Sequence, residues 1–236
     1  MILINNALSL LSLFVVAFSG TEAFAPSLNN ARTFTTSISL NLFGKMFEEE
    51  GPLGKGITVG KFQLGLSCND RTLIELLEKE SDKYDSDEPE ELSKLCNSVC
   101  LTLLRRQDDW ISACSESEWF GQNDAGKAER LFNDWSNQEA SKFEKEYIPS
   151  KDSEKGGPTN IIVSLVVEIK GDETNFENAG FSRQGTKEVL TSIASDCIVD
   201  DGYCLNAAEI FWTPGDREEV LTKNDIILDF PTLIDL

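Results

Sequence analysis

The 236-residue chain has no histidine, only two methionines, and 21 Lys and Arg against 41 Asp and Glu. Without histidine there can be no Ser-His-Asp or Cys-His catalytic arrangement and no His-ligated metal. The side chain that ordinarily titrates near neutral pH is also missing. A net charge of −20 leaves too little positive surface to displace counterions from nucleic acid. The same charge disfavours adsorption to an anionic membrane surface. No unbroken apolar run reaches the ~20 residues a helix needs to cross a bilayer. No Asn-x-Ser/Thr sequon occurs, so an N-glycan has no acceptor. What remains is ordinary globular material: 40% apolar, 26% charged, with 14 Phe, four Trp and six Cys. Length and composition together point to one folded domain with a sizeable core.

The first segment reads as an address. Leu8 to Phe18 is an apolar run of h-region length, and Thr21-Glu22-Ala23 has the small-x-small form of a cleavage site. Phe24-Ala25-Pro26 then opens a stretch to Leu42 rich in Ser, Thr and Asn, with Arg32 and no acidic residue. That order resembles the bipartite plastid presequences of diatoms and their relatives, in which a Phe just after the signal cleavage point is the recognised element. The resemblance gives Ala23 and Phe24 the processing roles. It divides the chain into a signal peptide over 1–23, a transit peptide over 24–42 and a flexible lead-in over 43–56. A single domain over 57–236 follows.

Within that domain, Ile57 to Leu66 alternates, with Phe62, Leu64 and Leu66 on one face and Lys61, Gln63 and Gly65 on the other, which predicts a half-buried strand. Arg71 to Tyr84 predicts a short helix. A second starts near Asp87-Pro89 and carries apolar positions 92, 95, 96, 99 and 103 at helical spacing to Arg105-Arg106. Asp108 to Trp119 reads as a further helical piece or a tight connection. Asp124 starts a helix with Ala128, Leu131, Phe132 and Trp135 inward, and the drift of its apolar stripe after Ser136-Asn137 predicts a break. Pro149 to Thr159 is a loop. Ile161 to Ile169 is nearly continuous in β-branched residues and predicts a central strand covered on both faces. A helix over 186–194, a strand over 207–213 ended by Pro214-Gly215, and a docked tail with Thr222 as N-cap complete the chain. The expected fold is α+β: a small mixed sheet of about three main strands, with helices packed mainly on one side.

Several motif candidates fail on spacing. Gly51 to Gly56 is Gly-rich with a Lys, but it precedes a strand, whereas a phosphate loop follows one and opens a helix. Asp200-Asp201-Gly202 lacks the regular oxygen ligands of a calcium loop. Cys96 and Cys100 sit one helical turn apart, without the spacing of a zinc site. No cofactor, metal or catalytic set is therefore expected. Cys197 and Cys204 flank a turn-forming Asp-Asp-Gly, and make a candidate redox pair if their Cα atoms approach within about 7 Å.

Four segments carry a family resemblance: LSKLCNSVCLTLLRRQDDWISACSES, AERLFNDWSNQEASKFEKEY, NIIVSLVVEIKG and NAAEIFWTPGDREEVLTKNDIILDFPTLIDL. Their order over residues 57–236 resembles the family catalogued as domain of unknown function 1517, found in cyanobacteria and chloroplasts. Trp212, Thr213 and Pro214, then Leu221 and Thr222, then Phe230 and Pro231 match the family's C-terminal pattern. Family members commonly carry transmembrane segments ahead of this domain, and none is expected in the mature chain here.

The resemblance implies a plastid protein, in the stroma or at a thylakoid or envelope surface, with an accessory or regulatory role in photosynthetic light acclimation. It transfers no catalytic residue. The expected mode is non-enzymatic, through protein partners rather than nucleic acid, with peripheral membrane association left open. The alternatives are an enzyme using carboxylates or a thiol, and a module binding a small apolar ligand; a deep pocket of convergent carboxylates or an apolar cavity would distinguish them.

Overall fold

A computed structural model describes residues 49–69, 71–84, 88–143, 158–215 and 219–236. Ala23 and Phe24, with the whole of segment 1–42, lie outside the described residues. Five strands form one antiparallel sheet: β1 (Ile57–Cys68), β2 (Trp110–Phe120), β3 (Thr159–Lys170), β4 (Leu205–Thr213) and the short β5 (Ile234–Asp235), in the order β4-β3-β1-β2-β5. The helices are α1 (Thr72–Lys83), α2 (Pro89–Leu104), α3 (Ala125–Phe143), α4 (Arg183–Asp196) and α5 (Lys223–Asp229). The architecture is α+β, with two more strands than expected, and among the described residues every strand pair is antiparallel.

β1 is the axis of the sheet. It pairs with β3 from Ile57↔Lys170 to Cys68↔Thr159, and on its other side with β2 from Ile57↔Phe120 to Leu66↔Trp110. On one face Phe62, Leu64 and Leu66 join Val163, Leu165 and Val167 in the main core, closed by Leu73 and Leu77 of α1, Val99 and Leu103 of α2, and Val189 and Leu190 of α4. Each such fully buried side chain stabilises by about 1.5–3 kcal/mol relative to exposure. Trp110 belongs to this core and donates from Nε1 to the Leu103 carbonyl at 3.1 Å.

Three expectations are corrected. Residues 110–120 form a strand rather than a helical piece. The Ser- and Cys-rich sequence there carries little strand signal of its own, and its pairing with β1 decides its conformation. β1 is buried on both faces rather than half-buried, because α3 lies across the side that carries Lys61 and Gln63. There Ala128 and Phe132 pack on Ile57, Val59 and Val166, while Ile226 and Phe230 of the tail pack on Ile162. The helices thus cover both faces, α1, α2 and α4 on one and α3 and α5 on the other. Finally, α3 runs through Ser136-Asn137 without a break. Its apolar stripe ends there because the next inward residue is Glu139.

Candidate functional site

The face under α3 holds a polar network at the centre of an otherwise apolar layer. Strand register assembles it: on β1, Lys61 lies opposite Glu116 of β2, and Gln63 lies between Cys114 of β2 and Ser164 of β3. Glu139 descends onto these from α3, and its carboxylate is fully buried. Gln63 Nε2 donates to Glu139 Oε2 at 2.7 Å and to Ser164 Oγ at 2.8 Å, and Ser164 Oγ donates onward to the same Oε2 at 3.0 Å. Glu139 Oε1 faces Lys142 Nζ at 2.7 Å and Lys61 Nζ at 3.6 Å. Lys61 also pairs with Glu116 and stands 5.3 Å from the centre of the Trp135 ring.

The tail closes the network. Thr232 Oγ1 donates to Gln63 Oε1 at 3.2 Å, and Cys114 Sγ lies 3.4 Å from the same oxygen. Lys142 stands 5.7 Å over the Phe230 ring. Burial pushes the Cys114 thiol above its ordinary range, with a hydrogen bond to Thr232 opposing the shift. A thiol so held is a poor nucleophile. The ionised groups of the network are matched to one another, which is what a buried charge requires to be tolerated. The arrangement therefore registers α3 and the tail on the sheet.

Of the seven residues of the C-terminal pattern, three end β4 and four belong to the docked tail. Trp212 packs against the main core, and Thr213 and Pro214 are buried at the end of β4. Leu221 is buried, its carbonyl accepts from Asn160 N at 3.2 Å and Nδ2 at 3.0 Å, and its N–H donates to Thr159 Oγ1 at 3.0 Å. Thr222 caps α5 in a reciprocal box with Asp225, as the sequence predicts. Phe230 is buried and Pro231 turns the chain so that Thr232 reaches Gln63. Sequence reasoning missed Lys61, Gln63, Cys114, Glu139, Ser164 and Thr232 as a group. Two signals were present: a serine in the middle of the β-branched run of β3, and the loss of the apolar stripe in α3 where Glu139 begins.

Chemistry elsewhere is sparser. Burial raises the Glu168 carboxyl, opposed by Asn206 Nδ2 at 2.8 Å. Burial alone pushes Glu209 up to about 7. Neither residue lines the two surface grooves. One, of about 540 Å³, runs along α2 between Tyr84, Asn97, Ile198 and Asp201. The other, of about 300 Å³, lies beside Gly51–Gly56 with Lys170 and Asn206. Among the described residues, no three Cys, Asp or Glu side chains converge as ligands for a metal ion, and no helix is long and apolar enough to cross a membrane. Cys197 and Cys204 are both buried free thiols. Cys197 Sγ lies 3.6 Å from the Ser93 carbonyl oxygen and 3.4 Å from that of Ala194, while Cys204 has Asp200 and Lys170 as neighbours.

The family described as "Protein of unknown function (DUF1517)" matches residues 56–236, which include every residue of the network and of the docked tail. The chain belongs to this family. Among curated relatives, "FLUCTUATING-LIGHT-ACCLIMATION protein 1, chloroplastic" of Arabidopsis thaliana is 27% identical over 187 residues, covering 75% of this chain and 46% of that protein. "Protein FLAP1 homolog A" of Synechocystis sp. is 24% identical over 198 residues, covering 75% of this chain and 56% of that protein. The chain thus spans about half the length of the curated relatives it matches. No solved structure matches it.

Proposed function

We propose that this protein acts inside a plastid in acclimation to changing light, as a non-enzymatic component that works by holding a protein partner. The plastid assignment and the acclimation role draw on the name of the chloroplastic relative and on the order of signal and transit features in residues 1–42. The observation that carries the binding mode is the surface displayed by the docked tail. Ile227 and Leu228 of α5 are 60% and 74% exposed, and Phe181 is 78% exposed. Gly180 abuts Ile234 of β5, and Lys223 Nζ lies 3.9 Å from Asp235 Oδ2, so the Phe181 loop and α5 each neighbour the edge strand β5. Adjacent exposed apolar side chains such as Ile227 and Leu228 on an otherwise polar surface mark contact sites. The chain's charge of −20 selects a partner with apolar anchors in a basic rim.

The test pairs affinity capture from plastids, under steady and fluctuating light, using the wild type and an Ile227→Asn, Leu228→Asn double variant. A plastid protein held by the wild type and lost by the variant supports the reading. Equal recovery with both discards this surface. Residues 1–42 fused to a fluorescent reporter should direct it into the plastid, and Phe24→Ala should leave it outside the innermost compartment. Import of the variant at the wild-type level removes the plastid argument built on Phe24.

A further inference from the structure

The two edges of the sheet are finished differently. On the β2 side, Ser112 and Ala113 pair with β5, and Gly180 abuts the Ala113 carbonyl. Ser115 Oγ donates to the Phe176 carbonyl, and Glu116 and Glu118 stand exposed. Short covering segments and charged side chains are how proteins keep a strand edge from pairing. At the other end β4 is the last strand. Its residues 207–212, Ala-Ala-Glu-Ile-Phe-Trp, are each partly exposed, and include no Pro, Lys or Arg and a single charge, Glu209. The register shift between Glu168 and Ile169 of β3 falls at the start of β4, before Ala207. We propose that β4 pairs with β4 of a second copy of this chain, antiparallel about a two-fold axis at Ile210, joining the two five-stranded sheets into one.

The hydrogen-bond phase of the sheet leaves this edge open. Gly171 N donates to Gly56 O at 2.7 Å, and Lys170 N to Cys204 O at 2.8 Å. In an antiparallel ladder, bonded and non-bonded pairs alternate, so these two bonds fix the direction of every peptide group in β3. Odd-numbered residues of β3 bond to β1 and even-numbered ones to β4. The bonded pairs of β3 and β4 are then Glu168 with Ala207, Val166 with Glu209, Ser164 with Phe211 and Ile162 with Thr213. The N–H and C=O groups of Ala208, Ile210 and Trp212 therefore point away from the sheet. Among the described residues, none of these groups has a hydrogen-bond partner. Such a row is a template for another extended strand.

Symmetry, side-chain fit and local charge select a second copy as that strand. Centring the pair on Ile210 matches all three open residues, Ile210 with itself and Ala208 with Trp212 on either side. Each match exchanges two hydrogen bonds. Centring on Glu209 would set Trp212 against Asn206 at the irregular start of the strand. Centring on Phe211 would set Ala208 against Pro214, which has no N–H. The Ile210 register also puts small Ala208 beside large Trp212, and Glu209 opposite Phe211 rather than another carboxylate. Ala208, Ile210 and Trp212 pack on the main core, so pairing continues that core from one copy into the next. α2 packs over one face of β4 and α3 over the other, and the two-fold axis brings each helix beside its counterpart. α3 carries three acidic and three basic residues, and segment 89–106 two acidic and three basic. The net charge of −20 is thus carried elsewhere, and two copies can approach along this edge.

The test is sedimentation velocity of the purified full chain over about a hundredfold range of concentration, in salt that screens the net charge. The expected result is a reversible monomer–dimer equilibrium. Hydrogen exchange resolved by residue with NMR should show the amides of Ala208, Ile210 and Trp212 gaining protection in the dimer and losing it on dilution. Ala208→Pro removes only an outward N–H, so the ladder to β3 stays intact. It deletes two bonds per dimer and should raise the dissociation constant by about tenfold or more. Retained protection of the Glu209 and Phe211 amides verifies the fold of that variant, and the wild-type exchange pattern is decisive even if the variant fails to fold. The Ile227→Asn, Leu228→Asn double variant should dimerise as the wild type does, which separates this edge from the tail surface. The proposal is overturned by a monomer at every concentration, or by a dimer whose three amides exchange as in the monomer. A dimer unaffected by Ala208→Pro, or one lost with the tail variant, overturns it equally.

Discussion

Gln63 and Glu139, 76 residues apart, meet through a 2.7 Å hydrogen bond in the fully buried layer between β1 and α3. Everything on that side of the sheet is arranged around this pair. Ser164 and the two lysines complete the carboxylate, and Thr232 completes the amide. A buried network of this kind is costly when broken and specific when whole, so it ties the position of the tail to the position of α3.

Removing the carboxylate tests that coupling. Glu139→Ala should destabilise the domain by about 3–5 kcal/mol, because it removes the buried carboxylate that Gln63, Ser164 and Lys142 share and leaves Lys61 with Glu116 alone. Glu139→Gln, which keeps the shape and one acceptor, should cost less. Urea unfolding of both variants measures this, and a loss below about 1 kcal/mol for the alanine variant would show that water takes over the network.

The docked tail gives two graded expectations. Thr222→Ala removes the cap of α5 and should cost about 1 kcal/mol. Phe230→Ala empties a buried site and should cost about 3–5 kcal/mol. Hydrogen exchange over residues 221–235 should rise in both variants, far more in the second. Unchanged protection in Phe230→Ala would mean that the ring does not anchor the tail.

Glu209 predicts a pH dependence. Its carboxyl sits at about 7 in the folded chain, against about 4.3 when unfolded. The folded state therefore binds the proton more tightly. The resulting stabilisation is complete below the unfolded value and is lost as pH rises toward 7. Since Glu209 is partly exposed, the loss should be on the order of 1–2 kcal/mol. Guanidinium unfolding at pH 4.5 and 7.5 should show the wild type losing that much more than Glu209→Gln. Parallel behaviour of the two proteins would contradict it.

Two glycines should respond in opposite directions to alanine. Gly171 has φ 111°, and a Cβ there would lie 1.9 Å from the Leu53 carbonyl oxygen, so Gly171→Ala should destabilise by more than about 1 kcal/mol. A Cβ on Gly126, within α3, meets nothing within 4 Å. Gly126→Ala should stabilise by about 0.5–1 kcal/mol through the entropy of the unfolded chain. Thermal melts of the two variants distinguish tight packing from simple helix propensity.

The sequence alone determined those features that a local pattern encodes. Alternation marked β1, the β-branched run marked β3, helical spacing marked α2 and the first half of α3, and Thr222 announced its own cap. The four quoted segments were also enough to indicate the family. Tertiary structure decided what depends on a distant partner. β2 is a strand because β1 offers it a ladder, and β1 is buried twice because α3 crosses the face that carries Lys61 and Gln63. A polar residue in a strand looks solvent-facing until its partners are known, and those of Gln63 lie 76, 101 and 169 residues away, at Glu139, Ser164 and Thr232. The cysteines follow the same rule. Spacing brought Cys197 and Cys204 to notice, and helix packing set Cys197 against the Ser93 carbonyl of α2, because side-chain proximity is fixed by how elements stack and not by separation along the chain.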